Sequence, residues 1–364
     1  MPDYSGAPAV FLGAITAKGF ISTAESVYSA GDGWRVYILK GGPGSGKSTL
    51  LGRAAAAPYA SGARAFRVPC ASDPHSLDAI ILPGHRIMLA DGTAPHVLEP
   101  KHVGMCENLI NVGDCWDSEA LRNSAPGIMA AMGRNAAQHE RAARYIAAAG
   151  ALLADNYRLA LEATDSAKVV KFATALAGRE LSGAAPGEGK EMRCFLSAVT
   201  PLGPLFFEDT IYQLCPKVYA LEDEYGAVAR MALATLRAKC LERKLDIITC
   251  LCPLFGEEKV DHILIPSLGV AFCTSNRRHP VRAALRRVHA RRFTDAQAMH
   301  AHKQRLSFNR RAAGDLLSGA SDILREAKAS HDELEQYYTA AMDFAKADEL
   351  ADKLLARVSA QIEN

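Results

Sequence analysis

The chain has 364 residues, with 42 lysines and arginines against 40 acidic residues, and 49% of its residues are hydrophobic. This composition excludes a disordered or strongly charged chain and leaves room for about two domains, each with its own core. The sequence has no run of eighteen apolar residues and no basic segment in Met1–Tyr4, so we expect a cytoplasmic protein without a membrane helix or signal peptide.

Cysteine usage is consistent with a reducing compartment. The chain has 9 cysteines, an odd number, and no two of them form a C-x-x-C pair. Cys250 and Cys252 alternate along a strand-like run, and one pair without histidines does not make a zinc site. We therefore expect buried free thiols.

The most specific motif is a glycine-rich loop that satisfies the pattern G-x-x-x-x-G-K-[ST]. The loop consists of Gly41, Gly42, Pro43, Gly44, Ser45, Gly46, Lys47, Ser48 and Thr49. It follows the apolar run Val36–Leu39 and precedes the helix-prone segment Leu50–Ala55. This strand–loop–helix context favours a phosphate-binding P-loop over a glycine-rich turn that matches by chance.

The chemistry of such a loop predicts ATP and Mg²⁺ as ligands. Glycines let consecutive backbone N–H groups close on a polyphosphate, and the helix N-terminus behind them adds a partial positive charge. We expect Lys47 to reach the β- and γ-phosphates and to be exposed until phosphate arrives. Ser48 is expected to supply an oxygen to Mg²⁺.

Two further strands are predicted downstream, at Ala65–Val68 and at Ile87–Ala90, and the second ends in Asp91. An acid at the end of an apolar strand suits a Walker B residue, so we predict that Asp91 holds Mg²⁺ directly or through water. The alternative is a turn at Asp91-Gly92 that only ends the strand. Thr93 contacts a γ-phosphate or, in the simpler interpretation, is a turn hydroxyl.

No glutamate follows Asp91, so the two-acid arrangement of vigorous ATPases is missing. Four other acids are candidates for orienting a water molecule, and the sequence leaves the general base open. These candidates are Asp73, Asp78, Glu107 and Asp114.

The chain repeats itself. Phe11–Thr16 matches Phe195–Thr200, and Val36–Leu39 matches Val218–Leu221, with a nearly constant spacing of about 183 residues. His96 matches His279 at the same spacing, which favours a structural role for both. The matches predict two domains of common origin, not a solenoid.

The predicted fold is therefore α/β, with two tandem P-loop NTPase-like domains, each a parallel sheet followed by a helical hairpin. The domains span 1–182 and 191–364, on either side of a Gly/Ala/Pro-rich linker at 182–189. Their helical segments lie at about 118–181, where Asp165 is a predicted N-cap, and at about 294–361. Tyr157 and Tyr338 occupy similar places in these two segments.

The loop of the second half is dismantled. Its residues are Asp223–Arg230, in which Ala229 replaces Lys47 and Arg230 replaces Ser48. Glu222, Asp223 and Glu224 bring three carboxylates to the phosphate position, which repels phosphate, and Thr274 stands where the first half has Asp91. We predict a nucleotide-free partner domain, without the nest that cradles anions; the alternative is another ligand bound by an unusual loop.

A basic stretch runs from Arg277 to Arg311, with eleven lysines or arginines and a single acid, Asp295. It is interpreted as a solvated helix or, alternatively, as a surface for nucleic acid or an acidic partner. A third interpretation is that Arg277 or Arg278 reaches the first loop as an arginine finger.

The segments G-A-I-T-A-K-G-F, V-Y-I-L-K-G-G-P-G-S-G-K-S-T-L, S-D-P-H-S-L-D and L-A-D-G-T-A-P-H resemble a poorly characterised family of bacterial tandem P-loop proteins. Its members are described as ATP-binding proteins or ATPases, so the resemblance implies a nucleoside triphosphatase. Both copies commonly carry a P-loop in that family, and this chain departs from it in the second copy.

Three functions follow from these residues. The first is slow Mg²⁺-dependent ATP hydrolysis by the first half, with the helical hairpins as protein-binding surfaces. The second is a nucleotide or small-molecule kinase, in which Arg134, Arg141 and Arg144 would belong to a lid over the acceptor. The third is ATP-dependent nucleic-acid binding through the basic stretch.

Overall fold

The computed structural model describes residues 6–60, 64–94, 97–182 and 187–362. His96 and residues 183–186 of the predicted linker lie outside these ranges. The strands of the first half are β1 (Gly13–Thr16), β2 (Gly19–Ser22), β3 (Arg35–Lys40), β4 (Phe66–Pro69), β5 (Leu77–Leu82), β6 (Ile87–Asp91) and β7 (Glu107–Asn111). Its helices are α1 (Lys47–Ala60), α2 (Ser118–Asn123), α3 (Ala125–Glu162) and α4 (Ser166–Glu180).

The second half repeats this plan. Its strands are β8 (Glu191–Cys194), β9 (Ser197–Thr200), β10 (Gly203–Phe206), β11 (Lys217–Glu222), β12 (Ile247–Cys252), β13 (Gly256–Ile265), β14 (Val270–Ser275) and β15 (Arg286–His289). Its helices are α5 (Glu208–Leu214), α6 (Ala227–Glu242), α7 (Ala296–Ala301), α8 (Lys303–Ala341) and α9 (Phe344–Ile362).

Each half has a mixed sheet with the same strand order. The first sheet is ordered β7-β3-β6-β5-β4, and the second is ordered β15-β11-β14-β13-β12-β8. In the first, β3 is parallel to β6 and β7, and in the second β11 is parallel to β14 and β15. The place of β8 is held in the first half by Ala9, which bridges to Arg67 in parallel.

The expectation of all-parallel sheets was wrong, because β5 and β13 run antiparallel to their neighbours. Only a short turn at Pro83–His85 joins β5 to β6. A connection that short makes a hairpin, whereas a parallel pair needs a crossover of a dozen or more residues. The three strands that surround the glycine-rich loop are nevertheless parallel.

An approximate twofold axis relates the halves. Phe11 and Phe195, which are counterparts in the sequence repeat, exchange two backbone hydrogen bonds of 2.8 Å. Both side chains are fully buried. A residue that pairs with its own counterpart lies next to a twofold axis, so the halves face each other symmetrically.

The predicted helical hairpins were wrong, because the helices of each half pack on the other half. The 38-residue α3 lies antiparallel along the 39-residue α8; Asn135 Nδ2 donates to the Ala327 carbonyl (2.8 Å) and Asn156 Nδ2 to the Leu306 carbonyl (3.1 Å). A helix of that length extends about 57 Å, well past the sheet that precedes it.

The helices that end the two halves are exchanged in the same way. Val169 and Leu176 of α4 are buried against Leu233 of α6, in the core of the second sheet. Leu354 of α9 is buried against Leu51 of α1, in the core of the first sheet. Each half therefore depends on the other for part of its hydrophobic core.

Several local predictions are confirmed. The predicted strands at 65–68 and 87–90 are β4 and β6, and Asp165 caps α4 by accepting from the Lys168 N–H (2.9 Å). All nine cysteines are buried, and none of them forms a disulfide. Within the described ranges, no helix is both long enough and apolar enough to cross a bilayer.

Candidate functional site at the glycine-rich loop

The first loop, residues 41–46, joins the end of β3 to the beginning of α1 at Lys47. Gly44 (φ 68°) and Gly46 (φ 84°) adopt left-handed conformations that side chains disfavour, which explains the glycines. Gly46 is exposed, with open space where a side chain would be. The N-terminus of α1 therefore faces solvent at the carboxyl edge of the parallel strands.

Lys47 is folded back onto its own loop. Its Nζ donates to the carbonyls of Gly41 (2.8 Å) and Gly42 (2.7 Å) and lies 3.6 Å from Asp91 Oδ2. The side chain is 8% exposed, so the expectation of an exposed lysine was wrong. Two carbonyls and a carboxylate satisfy the ammonium group, which makes its burial tolerable.

Asp91 meets this lysine because β6 is parallel to β3 and adjacent to it, with Asp91 opposite Leu39. Its Oδ1 accepts from the Thr93 N–H (2.8 Å), as in the strand-ending turn, while Oδ2 faces Lys47. The Thr93 hydroxyl donates to the Gly41 carbonyl (2.9 Å). Asp91 thus ends its strand in a turn and also faces Lys47 of the loop.

The remaining loop residues divide into structural and solvent-facing ones. Ser45 is buried, and its hydroxyl donates to the Gly42 carbonyl (2.7 Å). Ser48 is half-buried, and its Oγ accepts from the Leu77 N–H (2.9 Å), which leaves one lone pair. Pro43 is half-buried and Thr49 is exposed.

The structure separates the four candidate acids. Glu107 begins β7 at the opposite edge of the sheet, where it is buried and accepts from the His102 N–H (2.8 Å). Asp78 lies beside Cys70, and its charge adds to burial in raising the pKa of that thiol. Glu107 therefore lies at the wrong edge of the sheet to orient water at the loop, whereas Asp78 is near the loop but is engaged with the Cys70 thiol.

The other two acids lie at the carboxyl edge. Asp73 accepts from the Ser76 hydroxyl (2.9 Å) and lies 3.4 Å from Lys328 of α8. Asp114 follows β7 and accepts from Asn111 Nδ2 (2.6 Å). Because a lysine already neutralises Asp73, Asp114 is the better placed of the two.

Helix α8 of the second half packs against the outer surface of the first loop. A Cβ atom on Gly42 would lie 2.5 Å from the Tyr338 ring, and one on Gly44 would lie 2.5 Å from the Thr339 hydroxyl. A hydrogen bond from His331, together with the backbone of Gly44, lowers the pKa of Glu335. Nothing in the sequence of the loop predicts these contacts; the only signal was the matching position of Tyr338 and Tyr157.

The second loop has kept converging N–H groups, so the expectation that the nest is lost was wrong. The carboxylate of Asp223, which is 4% exposed, fills the nest and accepts four backbone hydrogen bonds. The donors are the N–H groups of Tyr225 (3.1 Å), Gly226 (2.9 Å), Val228 (2.8 Å) and Ala229 (2.9 Å). An internal anion thus stands where an external one would bind.

The second loop also meets the opposite long helix. Arg230 lies over the ring of Tyr157 on α3, 5.0 Å from its centroid, as the first loop lies against Tyr338 on α8. Glu222 does not face the nest, because it pairs with Arg287 (2.7 Å) on β15. Thr274 is buried, and its hydroxyl has no hydrogen-bond partner among the described residues.

The basic stretch is not one helix. It spans a loop, β15, a 3₁₀ turn, α7 and the start of α8, and several of its arginines pair with acids, such as Arg282 with Glu208 (3.0 Å). The backbone N–H of Arg277 lies 3.3 Å from Glu224 of the second loop. Arg277 and Arg278 therefore lie at the second loop. An arginine finger would lie at Lys47 of the first loop, so neither residue is one.

The predicted kinase lid is not formed either. Arg134 pairs with Glu333 of α8 (2.5 Å), and Arg144 pairs with Glu140 (2.5 Å). Arg141 lies 6.0 Å from the ring centroid of Tyr145. All three belong to α3, which is fixed along α8.

Comparisons of the chain with known protein families, with curated proteins and with solved structures found no match. The described residues also contain no group of three or more His, Cys, Asp or Glu side chains arranged to hold a metal ion. The chemistry of the site must therefore be inferred from its own geometry.

Proposed function

We propose that the first half binds Mg-ATP at the first loop and hydrolyses it slowly, and that the second half is a nucleotide-free partner. In this proposal the halves are tandem P-loop-like units, related to the bacterial ATP-binding proteins that the sequence resembles. The observation that carries the proposal is the convergence of Lys47, Asp91 and the open N-terminus of α1. Lys47 Nζ and Asp91 Oδ2 lie 3.6 Å apart on adjacent elements.

The residues present fit a triphosphate with its metal. The exposed N-terminus of α1 offers donors and positive charge to phosphate oxygens, and the Lys47 ammonium would exchange its loop carbonyls for them. Ser48 has a second lone pair, and Asp91 Oδ2, which now faces Lys47, would face the metal or its water. Magnesium usually takes only one or two protein ligands and completes its shell with phosphates and water, so a cluster of three acids is not needed.

The residues also account for slow turnover. When bound, Mg²⁺ would neutralise negative charge that develops on the phosphates. Lys47 is held at the mouth of the loop by two carbonyls, which positions its charge before the nucleotide arrives. Of Asp73 and Asp114, only Asp73 is paired with a lysine among the described residues, so Asp114 is the candidate for orienting water, and no glutamate follows Asp91. We expect turnover on the order of intrinsic GTPase rates without an activating partner.

Isothermal titration with Mg-ATP tests the proposal. We expect one site per chain and, for Lys47→Ala, a loss of affinity of at least about 100-fold, because a charged hydrogen-bonding group is removed from the phosphates. Lys101→Ala is the matched control, since Lys101 forms an exposed ion pair with Glu25 (2.6 Å) away from the loop. Equal ATP affinity in the Lys47 variant contradicts the proposal.

A second candidate function, phosphoryl transfer to a small acceptor, is favoured by a groove between the halves. The groove extends from Ser48 past Arg53 and Arg67 to Arg282 of the second half. Arg67 Nε is buried and has no hydrogen-bond partner among the described residues. Arg53 is paired with Asp348 (3.1 Å) and Arg282 with Glu208 (3.0 Å), so Arg67 is the arginine that suits a phosphorylated acceptor.

A panel of nucleoside monophosphates and sugar phosphates separates the two functions. An acceptor that raises ADP formation more than tenfold, and loses this effect in Arg67→Ala, favours the kinase. ADP formation that no acceptor changes favours simple hydrolysis.

A further inference from the structure

A second cavity lies at the second loop, which occupies the same place in the second half as the first loop does in the first half. It has a volume of about 240 Å³ and lies between Tyr225 of that loop, Tyr157 of α3 and Phe255. Its apolar wall also includes Val199 and Leu254. A cavity with aromatic and aliphatic walls suits the body of a small organic molecule.

Three arginines that form no ion pair line this cavity. Arg230, Arg278 and Arg310 come from α6, from the segment after β14 and from α8, and each is partly buried. Among the described residues, none of the three guanidinium groups has a hydrogen bond or an acid within ion-pair distance; Arg230 has only the Tyr157 ring. Guanidinium groups withdrawn from water without anions are unfavourable unless a ligand supplies the anion.

The two acids that line the same cavity compensate these arginines only in part, since the charge of Arg230 contributes, after that of Lys18, to lowering the pKa of Glu258. Glu258 pairs with Lys18, and Glu224 lies beside the backbone N–H of Arg277 (3.3 Å). Lys259, which also lines the cavity, is neutralised by the buried Asp261 (2.8 Å). The remaining charge of the cavity is positive.

A buried histidine adds an unused polar group. His279 lines the cavity with 6% of its surface exposed, and its Nδ1 has no hydrogen-bond partner among the described residues. Burial lowers the pKa of His279 to about 4, so the ring is neutral at neutral pH. The Nδ1 atom itself is buried, so His279 gives the cavity a neutral wall and adds no charge to it.

We propose that this cavity binds a small organic anion, whose phosphate or carboxylate groups face Arg230, Arg278 and Arg310. Because Asp223 already fills the backbone nest, the anion is held by side chains, not by the loop as in a P-loop. Guanidinium groups match both phosphate and carboxylate oxygens in planar pairs. The proposal does not depend on nucleotide binding at the first loop.

Isothermal titration with pyrophosphate and with citrate tests the site. All proteins carry Lys47→Ala, so that binding at the first loop does not obscure the result. We expect binding of one or both anions, weakened about tenfold or more by Arg230→Ala and by Arg278→Ala, since each removes a charge-assisted contact. Arg291→Ala is the matched control, because Arg291 is an exposed member of the same basic stretch outside the cavity.

Each arm has a distinct meaning. Binding of pyrophosphate alone identifies a phosphorylated ligand, and binding of citrate alone identifies a carboxylic acid. If neither anion binds at millimolar concentration, or if binding is unchanged in both arginine variants, the site is refuted. A single-stranded oligonucleotide that binds when neither anion does, and loses affinity equally in Arg291→Ala, also refutes it and favours a nucleic-acid surface.

A variant that fails to fold is recognised by its thermal unfolding, and a second variant then tests the site. Arg230 packs on Tyr157, so thermal unfolding is measured for every variant. Arg310→Gln is the second test. Arg310 lies in the long helix α8, and glutamine removes its charge but keeps a polar side chain at this position. Retained affinity in a folded Arg310→Gln protein, together with retained affinity in Arg278→Ala, overturns the proposal.

Discussion

The two loops occupy the same place in two sheets of the same strand order, but they treat negative charge in opposite ways. The first loop presents the N-terminus of α1 to solvent and places the Lys47 ammonium beside it. The second loop closes the N-terminus of α6 with the Asp223 carboxylate. A helix N-terminus favours an anion in both cases; the difference is whether the chain supplies that anion or leaves the place for a ligand.

The long helices extend this contrast. Tyr338 of α8 packs on Gly42 of the first loop, and Tyr157 of α3 packs on Arg230 of the second. Tyrosines at matching positions therefore cover different parts of the two loops, an uncharged glycine in the first and a cation, the counterpart of Ser48, in the second. Positive charge has moved from inside the first loop to the cavity outside the second.

The largest expected effect of the difference between the two loops concerns Asp91, which Thr274 replaces in the second half. Asp91→Asn keeps the oxygen that accepts from Thr93 (2.8 Å) and removes the charge that faces the metal position. We expect Mg²⁺-dependent ATP hydrolysis to fall about 10- to 100-fold, as for residues that orient a metal through its shell. Steady-state phosphate release measures this.

The control for Asp91→Asn is nucleotide binding without metal. In EDTA, wild type and variant should bind ATP alike, because the carboxylate acts through the metal. Unchanged hydrolysis in the variant would mean that Asp91 only ends its strand.

The next effect is on stability and belongs to the second loop. Asp223→Ala leaves four backbone N–H groups without their acceptor, which we expect to cost about 3 kcal/mol of the free energy of unfolding. Urea denaturation measures the loss, and calorimetry should still find one ATP per chain. A second ATP site in the variant would show that Asp223 had only blocked a working nest.

Asp295→Ala is the matched control for Asp223→Ala. Asp295 also caps a helix, but it accepts from only two N–H groups, and those bonds are exposed. We expect a loss of about 1 kcal/mol or less. Equal losses of unfolding free energy in the two variants would indicate that burial of the Asp223 carboxylate adds nothing to the stability of the protein.

Local signals predicted the first loop and its surroundings well. The glycine pattern predicted the start of α1, and the apolar run ending in Asp91 predicted β6, because hydrogen bonding and chain geometry within a few residues decide both. The antiparallel β5 was also predictable, since the connection from Leu82 to Ile87 is too short for a crossover.

The exchange of helices between the halves was not predictable in this way. An amphipathic pattern in α4 or α9 shows that one face is buried, but not which sheet covers it. Asp223 illustrates the same limit on a smaller scale: three acids in Glu222–Glu224 predicted repulsion of phosphate, whereas the structure shows one of them neutralising the nest. Contacts such as Tyr338 on Gly42 depend on the packing of elements far apart in the chain.

The smallest effect concerns Glu335, the acid that the second half brings near the first loop. Its pKa is lowered by His331 and by the backbone of Gly44, so it is ionised at neutral pH and repels a polyphosphate. Glu335→Gln keeps the shape of the side chain and removes the charge. We expect ATP affinity to rise about two- to fivefold at low salt, and the gain to shrink at high salt, because the side chain is partly exposed and screened.

Glu333→Gln is the control for Glu335→Gln, because Glu333 pairs with Arg134 on α3 and does not face the loop. Titration of both variants with Mg-ATP at two salt concentrations separates the two positions. If affinity falls in Glu335→Gln, the carboxylate supports the loop and does not compete with phosphate. In that case both loops would need an acid. Asp223 supplies it from within the second loop, and Glu335 of α8 would supply it to the first loop from the opposite half.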